Sequence, residues 1–170
     1  IGEGTITESE TEDKDWINNW KQYWHTFTIG DLFIKPTWEP ETEEMKGHAV
    51  LSIDPGTAFG TGMHETTQLC IRQLKKYITP ETELLDVGTG SGILSIVSLM
   101  YGIHHAVGTD LDPCAVEAVR ENMETNHIPA EKLFDVINVL GIQNLENTVT
   151  FGYNLISSKL GKKGIIKVAD

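Results

Sequence analysis

The 170-residue chain has little of what would tie it to a membrane, a disulfide scaffold or a polyanion. Its only two cysteines, Cys70 and Cys114, lie far apart, which indicates a reduced, cytoplasmic protein rather than a disulfide framework. No apolar run approaches the roughly 18 residues of a membrane span, and the acidic N-terminus is unlike a signal peptide. Basic residues are scarce, with 13 Lys and Arg against 25 Asp and Glu. We therefore expect no membrane association and no direct nucleic-acid binding.

The composition is that of a globular domain with an acidic surface. Hydrophobic residues make up 39% of the chain, charged residues make up 22%, and the net charge is −12. Such a surface would attract a basic partner, although a merely solvated surface is the simpler interpretation. The first residue is Ile1 rather than a methionine, so we expect the chain to be a fragment.

Residues 1–47 predict a linker followed by a tryptophan-rich helix and a β-hairpin. Trp16, Trp20 and Trp24 recur every four residues and therefore share one helical face. That face either packs on the domain or meets a partner, and packing is favoured because an exposed tryptophan stripe promotes aggregation. The alternating stretch Thr26–Trp38 predicts the hairpin.

Residues 48–170 alternate strands and helices, which predicts an α/β domain. The predicted strands are Val50–Ile53, Leu84–Val87, Ala106–Asp110, Phe134–Val139, Tyr153–Ser157 and Gly164–Val168, and the predicted helices are Thr66–Tyr77, Ile93–Tyr101 and Pro113–Asn126. Leu69, Cys70 and Leu74 are predicted to face inward from the first of these helices. The alternation favours a mostly parallel sheet with helices on both faces.

A glycine-rich loop follows the second predicted strand. Gly88, Gly90 and Gly92 are spaced G-x-G-x-G, whereas a dinucleotide loop reads G-x-G-x-x-G and would need a third glycine where Ile93 stands. Asp86, two residues before the loop, would be poorly placed against a pyrophosphate. The pattern instead suits a ligand that has cations and hydroxyl groups but no phosphate, such as S-adenosylmethionine. A nicotinamide-dependent oxidoreductase is the rival that this spacing disfavours.

Asp110 ends the next predicted strand, where an acid can accept hydrogen bonds from the two hydroxyls of a ribose. Alternatively it is only a turn residue, because the sequence Asp-Leu-Asp-Pro also suits a turn and a helix cap. A glycine loop without a ligand is the corresponding alternative for residues 88–92. The order strand, glycine loop, helix, strand and acid favours ligand binding over both alternatives.

This combination resembles the Rossmann-like class I methyltransferases, which use S-adenosylmethionine. Residues 54–67, with the sequence DPGTAFGTGMHETT, narrow the resemblance to the family that methylates large-subunit ribosomal protein eleven (PrmA-type). The segments Asp15–Lys21 and Gly108–Pro113 also resemble that family, and the match covers about residues 15–128.

The resemblance implies that residues 48–170 are an S-adenosylmethionine-binding methyltransferase domain. Its activity would be methyl transfer to lysine or α-amino groups of a basic large-subunit ribosomal protein. Family members hold the cofactor at positions that match Thr67, Gly88 and Asp110, and the loop Phe59–Gly62 is expected to cover it as a lid. The predicted cofactor-binding residues are Thr67, Gly88, Asp110, Gly90, Asp86, Phe59, Gly60 and Leu111.

The sequence names no catalytic residue and predicts no metal site. His64 could accept a proton from the substrate amine, or it could fix the backbone of its loop. The second role is favoured because the sulfonium is already activated and the placement of a neutral amine provides most of the catalysis. The histidines show no spacing with acids or cysteines that is typical of a metal site.

The chain departs from the family pattern in two places. Family members begin with a small α/β domain that grips the ribosomal protein, and we expect that domain to be missing. The segment Tyr153–Leu160 places Lys159 where the family has an asparagine, and Gly161–Gly164 follow at once. Parallel strands need a crossover of roughly ten residues or more. Either residues are omitted from this stretch or the edge of the sheet is irregular, and a non-catalytic nucleotide-binding fragment is then the alternative function.

Overall fold

The protein has two β-sheets and three α-helices within the part of the chain that the structure describes. This computed structural model describes residues 23–54, 60–128, 133–138 and 165–169, the last two segments as strand backbone. In chain order the elements are β1 (Phe27–Ile29), β2 (Leu32–Pro36), a 3-10 turn (Glu43–Met45), β3 (Ala49–Ile53), α1 (Glu65–Tyr77), β4 (Glu83–Val87), α2 (Ile93–Met100), β5 (His105–Asp110), α3 (Cys114–Thr125), β6 (Leu133–Asn138) and β7 (Ile165–Ala169). The predicted tryptophan helix before Trp24 and the predicted strand Tyr153–Ser157 lie outside the described residues.

The larger sheet has the order β6-β5-β4-β7, and every neighbouring pair is parallel. At its centre Leu85 of β4 pairs with Val107 of β5 and with Lys167 of β7. Leu84 and Leu85 point to opposite faces and are both almost fully buried, as expected for an inner strand of a parallel sheet. The α/β alternation and the parallel sheet predicted from the sequence are confirmed.

The smaller sheet combines the predicted hairpin with β3. β1 and β2 are antiparallel, with Phe27 opposite Ile34, and β2 and β3 are parallel, with Ile34 opposite Leu51. This parallel pairing joins residues on both sides of the predicted boundary between residues 47 and 48. The division of the chain at that boundary stays a prediction.

One hydrophobic core cluster includes buried residues of both sheets and of helices α1 and α2. It contains Ile34 and Leu51 from the small sheet, Leu84 from the large sheet, and Ile71 and Ile96 from helices. Trp24 joins this cluster and packs its ring edge-on against Phe27, with the ring centroids 6.1 Å apart. For this tryptophan the packing interpretation is confirmed, whereas Trp16 and Trp20 lie outside the described residues.

The inward face of α1 differs from the prediction at one position. Leu74 is buried as expected and Cys70 is half-buried, but 58% of Leu69 is exposed. Ile71 is buried instead of Leu69, because it lies one turn before Leu74 and so shares its face of the helix. Leu69 lies two residues before Ile71 and therefore points to the other side of the helix. Among the helices of the described segments, none has the length and hydrophobicity needed to cross a bilayer.

Candidate cofactor site

The glycine loop joins the end of β4 to the start of α2. Gly88, Gly90 and Gly92 have φ values of 77°, 51° and 78°, and Gly92 is the residue immediately before the helix. This left-handed region is costly for residues with a side chain, so the alternating glycines are required by the backbone of the loop. The loop lies at the carboxyl end of a parallel strand, where α/β proteins bind their ligands.

Asp110 lies beside this loop at the carboxyl end of β5. The carbonyl oxygen of Thr109 accepts hydrogen bonds from the amides of Gly88 (2.8 Å) and Thr89 (3.0 Å). The carboxylate of Asp110 accepts one from the amide of Gly90 at 2.8 Å and another from the amide of Asp112 at 2.9 Å. Its side chain is therefore held at the mouth of the loop in one orientation, as a preorganised acceptor.

Asp86 has a position different from that of Asp110. It is 2% exposed at the end of β4, and its Oδ2 atom accepts hydrogen bonds from the hydroxyls of Thr89 (3.0 Å) and Ser95 (2.8 Å). These bonds tie the glycine loop to the first turns of α2 from the interior side. Asp86 thus has a structural role in the loop, and its predicted contact with the cofactor stays a prediction.

The segment that begins at Gly60 lies against the glycine loop. The hydroxyl of Ser91 donates a hydrogen bond of 2.6 Å to the carbonyl oxygen of Gly60. A Cβ atom at Gly60, where φ is 109°, would lie 2.8 Å from that hydroxyl. A side chain at this position would therefore strain the backbone and displace the Ser91 hydroxyl from its hydrogen bond, so glycine is favoured here. Phe59, also predicted at the site, lies outside the described residues.

The remaining predicted residues lie on elements that border the loop. Thr67 is half-buried in the first turn of α1, and that helix packs against α2. Leu111 follows Asp110 and is 59% exposed. The structure thus bonds the amide of Gly90 directly to Asp110, and it bonds the amide of Gly88 to Thr109, the residue before Asp110 in β5.

His64 caps the N-terminus of α1. Its Nδ1 atom accepts a hydrogen bond from the amide of Thr66 at 3.3 Å and lies 2.7 Å from the hydroxyl of Thr66. A residue before a helix that accepts from the first free amides stabilises that helix. The geometry supports the interpretation in which His64 fixes its local backbone.

Sequence reasoning missed Asn122 as a residue of this site. It is 5% exposed on α3, and its Nδ2 atom donates a hydrogen bond of 2.9 Å to the carbonyl oxygen of Ser91. Ala115, Val119 and Asn122 form the buried stripe of the helix. The signal in the sequence was an asparagine at the third position of an otherwise apolar i, i+4, i+7 pattern, because a buried amide must find partners.

The turn between β5 and α3 contains an acid and a thiol. The carboxylate of Asp112 accepts a hydrogen bond of 2.9 Å from the amide of Cys114, the first residue of α3. The side chain of Asp112 also raises the pKa of the exposed Cys114 thiol, so this thiol is protonated at neutral pH. Within the described segments, no three His, Cys, Asp or Glu side chains are grouped so that they could hold a metal ion.

With this geometry in place, comparison with known proteins decides the family. The family model for ribosomal protein L11 methyltransferase (PrmA) matches residues 1–151. The chain belongs to the PrmA family. Ribosomal protein L11 methyltransferase from Lachnospira eligens is 77% identical over 133 residues, which are 78% of this chain and 42% of that relative. The protein of the same name from Agathobacter rectalis is 50% identical over 175 aligned positions, covering 99% of this chain and 54% of the relative.

Comparison with a solved structure of the same family identifies the fold. The crystal structure of ribosomal protein L11 methylase from Lactobacillus delbrueckii subsp. bulgaricus has a TM-score of 0.65 and 25% sequence identity, covering 85% of this chain and 79% of that chain. The Rossmann-like class I methyltransferase fold is therefore confirmed. The chain spans about half the length of the curated relatives that it matches.

Proposed function

We propose that this PrmA-family chain binds S-adenosylmethionine at the glycine loop and acts as a protein N-methyltransferase. The observation that carries the proposal is the carboxylate of Asp110, which the amides of Gly90 and Asp112 hold at the mouth of the loop. An oriented carboxylate in that position suits the two hydroxyls of a ribose, which are hydrogen-bond donors. The names of the relatives support the same class of reaction.

The chemistry of the loop fits this cofactor. The G-x-G-x-G spacing, with Ile93 where a dinucleotide loop has its third glycine, disfavours a pyrophosphate, whereas S-adenosylmethionine carries an ammonium and a sulfonium and has no phosphate. When bound, the cofactor supplies a methyl group already activated by its sulfonium. The chain's own part is to orient the ribose through Asp110 and to let the cofactor approach the exposed backbone of Gly88, with Thr67 in the first turn of α1 as a further proposed contact.

For the acceptor, we propose lysine or α-amino groups of a large-subunit ribosomal protein in the cytoplasm. The curated relatives are named for ribosomal protein L11, and the net charge of −12 suits a basic partner. An amine must be neutral to accept a methyl group, so placement of a deprotonated amine in line with the methyl group is the main catalytic requirement. A non-catalytic cofactor-binding fragment is the second candidate, because the chain spans about half of its relatives.

Calorimetric titration tests the cofactor. We expect heat of binding with S-adenosylmethionine and none with NAD. The variant Asp110→Ala should weaken binding by roughly 10- to 100-fold, since a hydrogen bond to a charged group contributes about 1.5–3 kcal/mol. Asp112→Ala is the matched control, because this acid two residues away accepts from the amide of Cys114 and not from the loop. Binding of NAD instead of S-adenosylmethionine would refute the proposal.

Methyl transfer tests the reaction. Incubation of the chain with labelled S-adenosylmethionine and purified ribosomal protein L11 should label that protein. If the cofactor binds but a full-length relative labels the protein and this chain does not, the chain is the non-catalytic fragment. If neither labels it, the proposed acceptor is wrong.

A further inference from the structure

Ser91 of the glycine loop is hydrogen-bonded to two neighbouring parts of the chain, the segment that begins at Gly60 and α3. Its hydroxyl donates to the carbonyl oxygen of Gly60 at 2.6 Å, and its own carbonyl oxygen accepts from Nδ2 of Asn122 at 2.9 Å. Ser91 is 2% exposed and Asn122 is 5% exposed. Water therefore competes little for either bond, and a buried polar group that loses its partner is costly.

A second amide on α3 extends this network away from the loop. Nδ2 of Asn126 donates to the carbonyl oxygens of Ser52 and Asn122, both at 2.7 Å, and Oδ1 of Asn126 accepts from the amide of Ser52 at 2.7 Å. Asn126 thus ties α3 to β3, whereas Asn122 ties α3 to the glycine loop. The helix is fixed to the small sheet by one asparagine and fixes the loop through the other.

We propose that Ser91 and Asn122 are positioning residues that hold the glycine loop in its cofactor-binding shape before the cofactor arrives. The inference rests on the proposed binding of S-adenosylmethionine by this loop. The proposed role does not require either side chain to contact the cofactor. They restrict the backbone next to Gly90, and the amide of Gly90 donates a hydrogen bond to Asp110.

The glycines explain why the loop needs such support. Three glycines among five residues, Gly88–Gly92, leave many backbone conformations open to the free chain. If only a fraction of molecules has the competent loop, the apparent Kd rises by the inverse of that fraction. The hydrogen bonds that join Ser91 to Gly60 and to Asn122 of α3 keep that fraction high. Their removal should therefore weaken cofactor binding in addition to destabilising the fold.

Two matched pairs of variants separate loop positioning from general stability. Ser91→Ala removes the bond to Gly60, and its control Ser98→Ala removes an equally buried hydroxyl that donates to the carbonyl oxygen of Leu94 at 2.7 Å within α2. Asn122→Asp replaces the donor to Ser91 by an acceptor of the same size. Its control Asn126→Asp makes the same change one turn later, on the side that holds β3.

The measurements are the Kd of S-adenosylmethionine by calorimetry, the urea unfolding midpoint, and the hydrogen exchange of the Gly90 and Ser91 amides in the free chain. Ser91→Ala and Asn122→Asp should raise Kd roughly three- to tenfold and speed exchange in the loop. Ser98→Ala and Asn126→Asp should leave Kd within about twofold of the parent chain, even where they lower the unfolding midpoint.

Equal weakening of binding in both members of a pair, or unchanged Kd and exchange in Ser91→Ala and Asn122→Asp, overturns the inference while the proposed function stands. A parent chain that does not bind S-adenosylmethionine overturns the proposed function, and with it the effect on cofactor binding. The loop exchange of the variants then decides separately whether Ser91 and Asn122 order the loop.

Discussion

Gly62 offers a sharp test of how the segment before α1 packs on the site. Its φ is 82°, and a Cβ atom there would lie 2.9 Å from Cδ1 of Ile93 and 3.3 Å from Cδ1 of Ile34. Ile93 begins α2 directly after the glycine loop, and Ile34 belongs to β2. Gly47 has the same φ of 82° with nothing within 4 Å of its would-be Cβ. Comparison of Gly62→Ala with Gly47→Ala therefore separates the cost of a left-handed backbone from the cost of steric crowding.

The two contributions have different sizes. A left-handed conformation costs a residue with a Cβ about 1–2 kcal/mol, and both variants carry this cost. Overpacking a well-packed core costs about 1–3 kcal/mol more, and only Gly62→Ala carries that, because Ile34 and Ile93 are buried and cannot move aside freely. We expect Gly47→Ala to lower the free energy of unfolding by about 1–2 kcal/mol and Gly62→Ala to lower it by about 2–5 kcal/mol.

Urea unfolding measures both variants, and a second substitution checks the cause. Ile93→Val removes the Cδ1 atom that lies 2.9 Å from the new methyl group. Alone it should cost about 0.5–1.5 kcal/mol, but in the Gly62→Ala background it should cost less or restore stability. Equal losses in Gly47→Ala and Gly62→Ala, or strictly additive effects of Gly62→Ala and Ile93→Val, would refute the packing argument.

Three further predictions concern single side chains. His64→Ala should lower the free energy of unfolding by about 0.5–1 kcal/mol through loss of the helix cap, with methyl transfer nearly unchanged; a large loss of kcat at unchanged stability would instead indicate a base. Hydrogen bonds from Thr26, and then His25, hold the pKa of Glu39 below its usual 4.5. Since a lowered carboxyl pKa stabilises the fold above the unfolded pKa, the stability difference between the parent and Glu39→Gln should be present at pH 7 and should disappear as the pH falls through the lowered pKa; a pH-independent difference in urea unfolding would contradict this. Among the described residues the buried hydroxyl of Thr109 has no hydrogen-bond partner, so Thr109→Val should leave stability unchanged or raise it by about 1 kcal/mol in thermal unfolding, and a loss of that size would show a missing partner.

The features that sequence predicted well are those set by short stretches of chain. The spacing of Gly88, Gly90 and Gly92 requires a left-handed backbone at alternate residues, which the structure has. The acid Asp110 follows from the end of an apolar strand, and it lies beside the loop because parallel neighbouring strands end at the same edge of the sheet. The eight-residue α2 and the strands on either side follow from local hydrophobic patterns.

The inner face of a helix was predicted less well because it depends on what the helix packs against. In α1, Leu69 and Leu74 are equally apolar, but Leu74 is buried in the core with Ile71, whereas Leu69 is exposed. In α3, Asn122 occupies a core position that hydrophobicity assigns to an apolar side chain, and only its distance to Ser91 shows the reason. In the sequence, Asn122 stands out only as a polar residue in an apolar pattern, and the structure shows which group it bonds.

Long-range strand pairing explains why the relation of residues 1–47 to the rest could not be worked out from sequence. β2 and β3 are separated by a stretch with turns and a 3-10 segment, so nothing local indicates that Ile34 pairs with Leu51. Once paired, the small sheet contacts the site through Ile34, which closes the space beside Gly62, whereas β3 holds the far end of α3 through Ser52 and Asn126. A change at Ile34 should therefore weaken cofactor binding in proportion to its effect on loop exchange, whereas a change at Asn126 should lower global stability and leave binding nearly unchanged.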